Sequence, residues 1–237
     1  MASLMKSDSR TPSRRDQAAC RARALLAFVL LAGCAISRAA GAAQPCAKVD
    51  AGYVLDDVVR GPLGSNRPVN ACVDVLQPQQ DGSRRLRIFV DGKRVLSNDA
   101  VALGPSDGGE MGDPFQPLEL GHGSLVVRNY GGGGPLRWGE TWRLTIRNGQ
   151  WIVAGWDEDS LDMHRAAEGG GEFHTSVNAL TGDVHDSYDP REEDAPAKRA
   201  ERRVCQLPPE WRSPPVARIG AIRERNWRCD AKLGKPL

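Results

Sequence analysis

WGETWRLTIRNGQWIVAGW, residues 138–156, is the stretch whose periodicity decides the fold. Trp138, Trp142, Leu144 and Ile146 alternate with Gly139, Thr141, Arg143, Thr145 and Arg147, the period of two expected of a strand with one buried face. Asn148-Gly149 is the residue pair that accepts positive φ at both central positions of a two-residue hairpin turn. The chain then returns through Trp151-Ile152-Val153-Ala154-Gly155-Trp156. A two-residue turn sets Ile146 against Trp151 and Leu144 against Val153, so apolar residues meet across the strands. On that register Trp138, Trp142 and Trp151 share one face and Trp156 points to the other.

The same signals recur on both sides. Leu86, Ile88 and Val90 alternate on one strand, Asp91-Gly92 turns, and Lys93-Arg94-Val95-Leu96 returns. Pro117 to Leu120, the turn Gly121-His122-Gly123, and Ser124 to Tyr130 form a second hairpin, followed by a four-glycine loop, Gly131 to Gly134. Phe173 to Val177 and Val184 to Asp186 flank Leu180-Thr181-Gly182-Asp183. With short runs at 50–75 this makes about nine strands at hairpin spacing, so the expected fold is mainly β: antiparallel hairpins in a sheet, sandwich or open barrel. The 26 glycines and 16 prolines among 237 residues argue against a helical bundle. Asp189 to Arg203 is charged and proline-punctuated, read as a solvated linker with one helix at Ala197 to Val204. The last thirty residues read as a short α or irregular flap.

Residues 1–43 read as an export signal: a basic flank at Arg21 and Arg23, then an apolar core from Ala24 to Ile36, too short to remain across a bilayer. Two exits compete. Leu31-Ala32-Gly33-Cys34 resembles a bacterial lipobox and would lipidate Cys34, whereas Ala40-Gly41-Ala42-Ala43 offers an ordinary cleavage site. These 43 residues hold seven Lys/Arg against two acids, so the net +2 of the whole chain becomes −3 beyond them. Such a chain, with no dense basic run, is a poor nucleic-acid binder. Membrane contact is expected only through a lipid at Cys34. The exported part divides into a β-rich domain at 44–188 and a charged linker with a disulfide-stapled C-terminal segment at 189–237. Cys46, Cys72, Cys205 and Cys229 remain in it, and their clustering in two pairs favours Cys46–Cys72 and Cys205–Cys229. No pair has C-x-x-C spacing and no histidine lies near, so neither metal nor cofactor is expected.

Gly112-Asp113-Pro114-Phe115 with Asn129-Tyr130-Gly131-Gly132, then Leu136-Arg137-Trp138 with Thr141-Trp142-Arg143, then Asn178-Ala179-Leu180-Thr181-Gly182, form a set of motifs over roughly residues 53–187. The set resembles an uncharacterised family of bacterial exported proteins and lipoproteins. Members often begin with an Asp-x-Asn-x-Asp-Gly loop like those of VCBS or FG-GAP repeats, which bind calcium through side-chain oxygens. The matching stretch here is Gly61-Pro62-Leu63-Gly64-Ser65-Asn66-Arg67, where only Asn66 keeps a usable oxygen, so calcium is not expected. The resemblance implies a β-rich exported domain and no particular activity.

Catalytic signals are thin. Gly104-Pro105-Ser106-Asp107-Gly108 spells G-x-S-x-G, but Gly109 to Pro114 cannot start the helix that a nucleophile elbow needs, so Ser106 reads as a turn residue. Asp157, Glu158, Asp159 and Asp162 form an expected acidic loop after Trp156. With His164, His174 or His185 these carboxylates could serve a hydrolase. The tryptophans carry more weight: whichever of Trp138, Trp142 and Trp156 stay exposed could stack on a sugar or anchor a partner, with Thr141, Arg143 and Arg147 as polar surround. The expected function is a non-catalytic binding or accessory protein of the cell envelope, its partner a protein or polysaccharide. An inhibitor using the Gly131–Gly134 loop and a hydrolase are the alternatives.

Overall fold

The computed structural model describes residues 43–164, 170–190, 200–229 and 233–237. The lipobox at 31–34 and the signal peptidase site up to Ala42 lie outside them. β1 (Tyr53–Leu63), β2 (Val69–Pro78), β3 (Arg85–Val90) and β4 (Lys93–Asn98) form one antiparallel sheet in chain order. β5 (Glu119–Gly121), β6 (Ser124–Gly133), β7 (Leu136–Arg147), β8 (Gln150–Asp162), β9 (Gly171–Asn178), β10 (Asp183–Pro190) and β11 (Glu201–Gln206) form the other, also a meander. Both sheets are open. The tight turns behave as their residues require: φ is 50° and 73° at Asp91-Gly92, 51° and 74° at His122-Gly123, and 51° and 76° at Asn148-Gly149.

Leu63, Val73, Val75, Leu86 and Ile88 of the first sheet and Leu125, Val127, Trp142, Leu144 and Val153 of the second belong to one buried cluster. Its remaining side comes from the C-terminal segment, where Trp211, Val216, Ile219, Ile222 and Trp227 are buried around α1 (Ile219–Arg223). The disulfide Cys205–Cys229 staples this segment to β11, and Cys46–Cys72 ties the chain's entry to β2. Both expected pairings are therefore formed, each with Cα atoms 5.7 Å apart.

Three expectations need correction. Leu144 does face Val153 and Ile146 faces Trp151, but the register shifts after Arg143, which pairs with Gly155 and leaves Ala154 as an extra residue. That bulge turns the end of β8 over, so Trp156 sits directly opposite Trp142, on the same face rather than the other. The stretch expected to be a solvated linker ends in strand β11, paired to β10 from Tyr188↔Glu201 to Asp183↔Gln206. The expected helix at Ala197 to Val204 is strand over Glu201–Gln206, and residues 197–199 lie outside the described ones. Here charged side chains occupy an exposed edge strand, whose composition reads as linker. Likewise the sheet region passes the expected boundary at 188. Finally, Gly131 to Gly133 continue β6, with Gly132 bonded to the 108–112 loop: its N–H donates to Gly108 O at 2.9 Å and its carbonyl accepts from Met111 N–H at 3.3 Å.

On the outer side of the first sheet, Asp74 and Arg87 face each other across β2 and β3 and are buried. Arg87 donates from Nε and Nη2 to the two Asp74 oxygens at 2.8 Å each, and from Nη1 to Lys48 O and Asp50 Oδ1 at 2.9 Å each. Cys46 N–H adds a bond to Asp74 at 2.9 Å. The entry segment thus completes a buried ion pair. Removing one partner strands the other charge, which costs about 3–5 kcal/mol, whereas replacing both by apolar groups is often close to neutral. Asp74→Ala should therefore lose about 3–5 kcal/mol in urea unfolding and the double variant D74A/R87L should recover most of it. A double variant no more stable than D74A would show that the stranded charge is not the cause.

Candidate functional site

β7 projects its residues to two sides. Trp142 and Trp156 are 1% and 0% exposed, with ring centroids 6.1 Å apart. Trp227 meets Trp156 edge-on at 5.0 Å and Trp211 at 5.2 Å. Neither Trp142 nor Trp156 can reach a ligand: they are core. Trp138 is half-buried on the same side, lying so close to Gly131 that a Cβ there would come within 2.5 Å of its ring. Thr141 and Arg143 face outward. Arg143 pairs with Asp157, which also accepts from Ser176 Oγ at 2.7 Å. Arg147 ends the strand, exposed.

The expected acidic loop is strand. From Asp157 to Asp162 the chain continues β8, so its carboxylates part to opposite faces. Asp157 and Asp159 lie outward with His174 and His185; His174 Nδ1 is 2.6 Å from Asp159 Oδ1. This face is an open sheet surface on which Ser176 bonds a carboxylate rather than an imidazole. His164 sits apart, 2.6 Å from Asp162. Ser106 is an exposed turn residue, in a turn closed by Asp107 Oδ2 accepting from Gly104 N–H at 2.6 Å. Among the described residues no group of three His, Cys, Asp or Glu is placed to hold a metal.

Glu158 faces inward, directly opposite Glu140. Glu140 accepts from Arg223 at 2.6 and 2.9 Å and from Asn129 Nδ2 at 2.7 Å. Arg223 also donates to Ala100 O at 2.7 Å, joining α1 to the loop after β4 as well as to β7. Burial, and then the Glu140 charge, push the Glu158 carboxyl up to about 8, against the pull of Arg228 and Arg223. Glu158 is therefore largely protonated at neutral pH. Simple alternation does not pair these two acids, because the bulge at Ala154 decides which face Glu158 takes.

The turns between β1 and β2, β7 and β8, and β9 and β10 enclose a cleft of about 840 Å3. Asn66, Arg67, Thr145, Arg147, Leu180 and Thr181 contribute to its lining, and no carboxylate does. Its walls are tied. Gly64 N–H donates to Gly123 O at 2.8 Å, and Thr145 Oγ1 donates to the same carbonyl at 2.9 Å. Asn178 Oδ1 accepts from Leu180 and Thr181 N–H at 3.0 and 3.3 Å, and Thr181 Oγ1 donates to Asp183 at 2.5 Å. Of the two cleft arginines, Arg147 is among the expected binding residues and Arg67 is not. No family model, curated protein or solved structure matches the chain.

Glu158 also sets a pH dependence. Its folded pKa lies above the unfolded value of 4.5, so the folded state carries the extra proton. Stability from this group is full below pH 4.5 and is lost as pH rises through about 8. Glu158→Gln should flatten the profile and be more stable than the parent above pH 8, by about 2 kcal/mol once solvent screening is allowed for. Urea midpoints at pH 5, 7 and 9 measure it, and parallel profiles for parent and variant would rule it out.

Proposed function

We propose that this chain is an exported protein of the cell envelope, periplasmic or lipid-anchored at Cys34, that acts as a non-catalytic binding or accessory module. Its partner is an envelope polysaccharide or protein. The observation that carries the binding role is the cleft between the three turns, whose walls are fixed by hydrogen bonds within the protein itself. A preformed concavity of that size, lined by both apolar and polar side chains, is a common form of small-ligand site. Export is supported by the leader-like residues 1–43 and by two disulfides, which persist in oxidising compartments. No helix among the described residues is long and apolar enough to cross a membrane.

Catalysis has less support. His174, His185 and the outward carboxylates share an open surface, and Glu140 is consumed by Arg223 and Asn129. An inhibitor's plugging loop also finds little support at Gly131 to Gly133, whose backbone is engaged with residues 108 to 111. Amide chemical-shift mapping tests the reading: the oxidised protein is titrated with solubilised envelope polysaccharide and, separately, with envelope proteins. Shifts concentrated at Asn66, Arg67, Asn148, Gly149 and Thr181 are expected. Shifts confined to the outward face around His174 and Ser176, or none from either pool, would overturn the cleft as the binding site.

A further inference from the structure

Among the described residues most arginines are committed. Arg84, Arg85, Arg87, Arg128, Arg143, Arg202, Arg203 and Arg223 each hold a carboxylate. Arg218 and Arg225 donate to backbone carbonyls and lie over Trp211. Arg67 and Arg147, like Arg94, have no hydrogen-bond or ion-pair partner among the described residues, and these two line the same cleft. They reach it from different sheets. Arg67 comes from the β1–β2 turn and Arg147 from the end of β7, while the turns carrying them are tied through Gly123. With no acid in the lining, the two charges reinforce one another at the cleft. The neutral donors nearby, Ser65 and Asn66 among them, suit oxygen acceptors, and Val69, Ile146 and Leu180 offer apolar surface.

We infer that the cleft is an anion site: Arg67 and Arg147 grip the carboxylate or phosphate oxygens of a small organic ligand whose apolar flank rests on Val69, Ile146 and Leu180. This rests on the cleft being the binding site and adds the chemical class of what enters it. A guanidinium fork is matched to both oxyanions, and two forks on separate walls select a ligand that presents oxygens to both. A free organic acid and an acidic sugar residue share that chemistry. A fused apolar or sugar body separates either from a bare inorganic ion.

The test uses the full oxidised protein and isothermal titration with glucuronate, glucose 6-phosphate, hexanoate, inorganic phosphate and, as the uncharged control, glucose. At least one of the three organic anions should bind with a dissociation constant below about 1 mM, and glucose should bind at least tenfold more weakly. Hexanoate as the best ligand would indicate a free organic acid, and glucuronate or glucose 6-phosphate a sugar-borne anion; either supports the inference. Arg67→Gln and Arg147→Gln should each weaken binding about tenfold, with unfolding midpoints unchanged because both side chains are exposed. Inorganic phosphate binding as tightly as the organic anions would overturn the apolar contribution, and equal affinity for glucose and glucuronate would overturn the charge. Binding indifferent to both arginine variants would place the anion elsewhere and overturn the site. No titration by any anion at about 10 mM overturns the inference as well. In that case a Thr181→Trp variant, which fills the recess, separates the two readings: if it abolishes the envelope-polysaccharide shifts, the cleft binds something uncharged.

Discussion

One extra residue in β8 governs how the molecule closes. Ala154 has no partner on β7, and the bulge it makes turns Trp156 inward against Trp142. With Trp156 inside, the second sheet presents a pair of stacked indoles; Trp227 of the C-terminal segment packs edge-on to Trp156, and Trp211 packs edge-on to Trp227. Such a cluster buries several large rings in mutually favourable geometry, each pair adding to the area effect. Everything C-terminal depends on that contact. The disulfide Cys205–Cys229 holds the segment in place, Trp227 Nε1 donates to Ile222 O at 2.8 Å, and α1 is brought to where Arg223 can reach Glu140. Had the strand run without the bulge, Trp156 would face solvent and the segment would lose the ring beneath Trp227.

Polar groups build the other half of the framework. Arg84 is 1% exposed and joins three parts of the chain: Nε donates to Asp56 at 2.6 Å, Nη1 to Leu103 O at 2.6 Å and Nη2 to Asp113 at 2.5 Å. Its guanidinium also lies 5.0 Å above the Phe115 ring. Asn129 accepts from Leu103 N–H and donates to Val101 O and Glu140. The Gly112-Asp113-Pro114-Phe115 and Asn129-Tyr130 motifs thus supply Arg84 and the 98–104 loop with partners they need once buried. A guanidinium taken out of water without such partners would be prohibitively costly. These residues satisfy buried charge, which is a structural role.

Local chemistry makes the hairpins legible in the amino-acid sequence. Asp91-Gly92, His122-Gly123 and Asn148-Gly149 each combine two positive φ angles that few other pairs accept, so turn position and strand register follow together. The four cysteines are legible for a related reason, since two short loops close easily. Ala154 carries no such mark. A bulge of one small residue leaves the apolar run intact and reverses only what comes after it, which moves Trp156 and Glu158 to the face opposite the one alternation assigns. β11 is hidden differently: an edge strand needs only one neighbour, and its exposed positions carry charge as freely as a linker does. The acidic run at 157–162 reads as a loop because carboxylates are rare in strands, yet here half of them face water and Glu158 keeps its proton.

Topology explains why a site should form at the turn end. In an antiparallel meander every second connection returns to the same edge, so the β5–β6, β7–β8 and β9–β10 turns must gather at one end of the second sheet. The bond from Gly64 N–H to Gly123 O brings the β1–β2 turn of the first sheet to that end. Residues with no shared role in sequence, Arg67, Arg147 and Thr181, are thereby assembled by connectivity alone. The inner face of the long strands is used differently, since Arg223 and Arg228 come from the C-terminal segment to Glu140 and Phe173 there. The outward face is flat, and its carboxylates pair with Arg143, Ser176 and His174. At the turn end hydrogen bonds tie the backbone, Arg67 and Arg147 have no hydrogen-bond or ion-pair partner among the described residues and the surface is concave. Those three conditions together let a ligand compete with water without first displacing a protein contact.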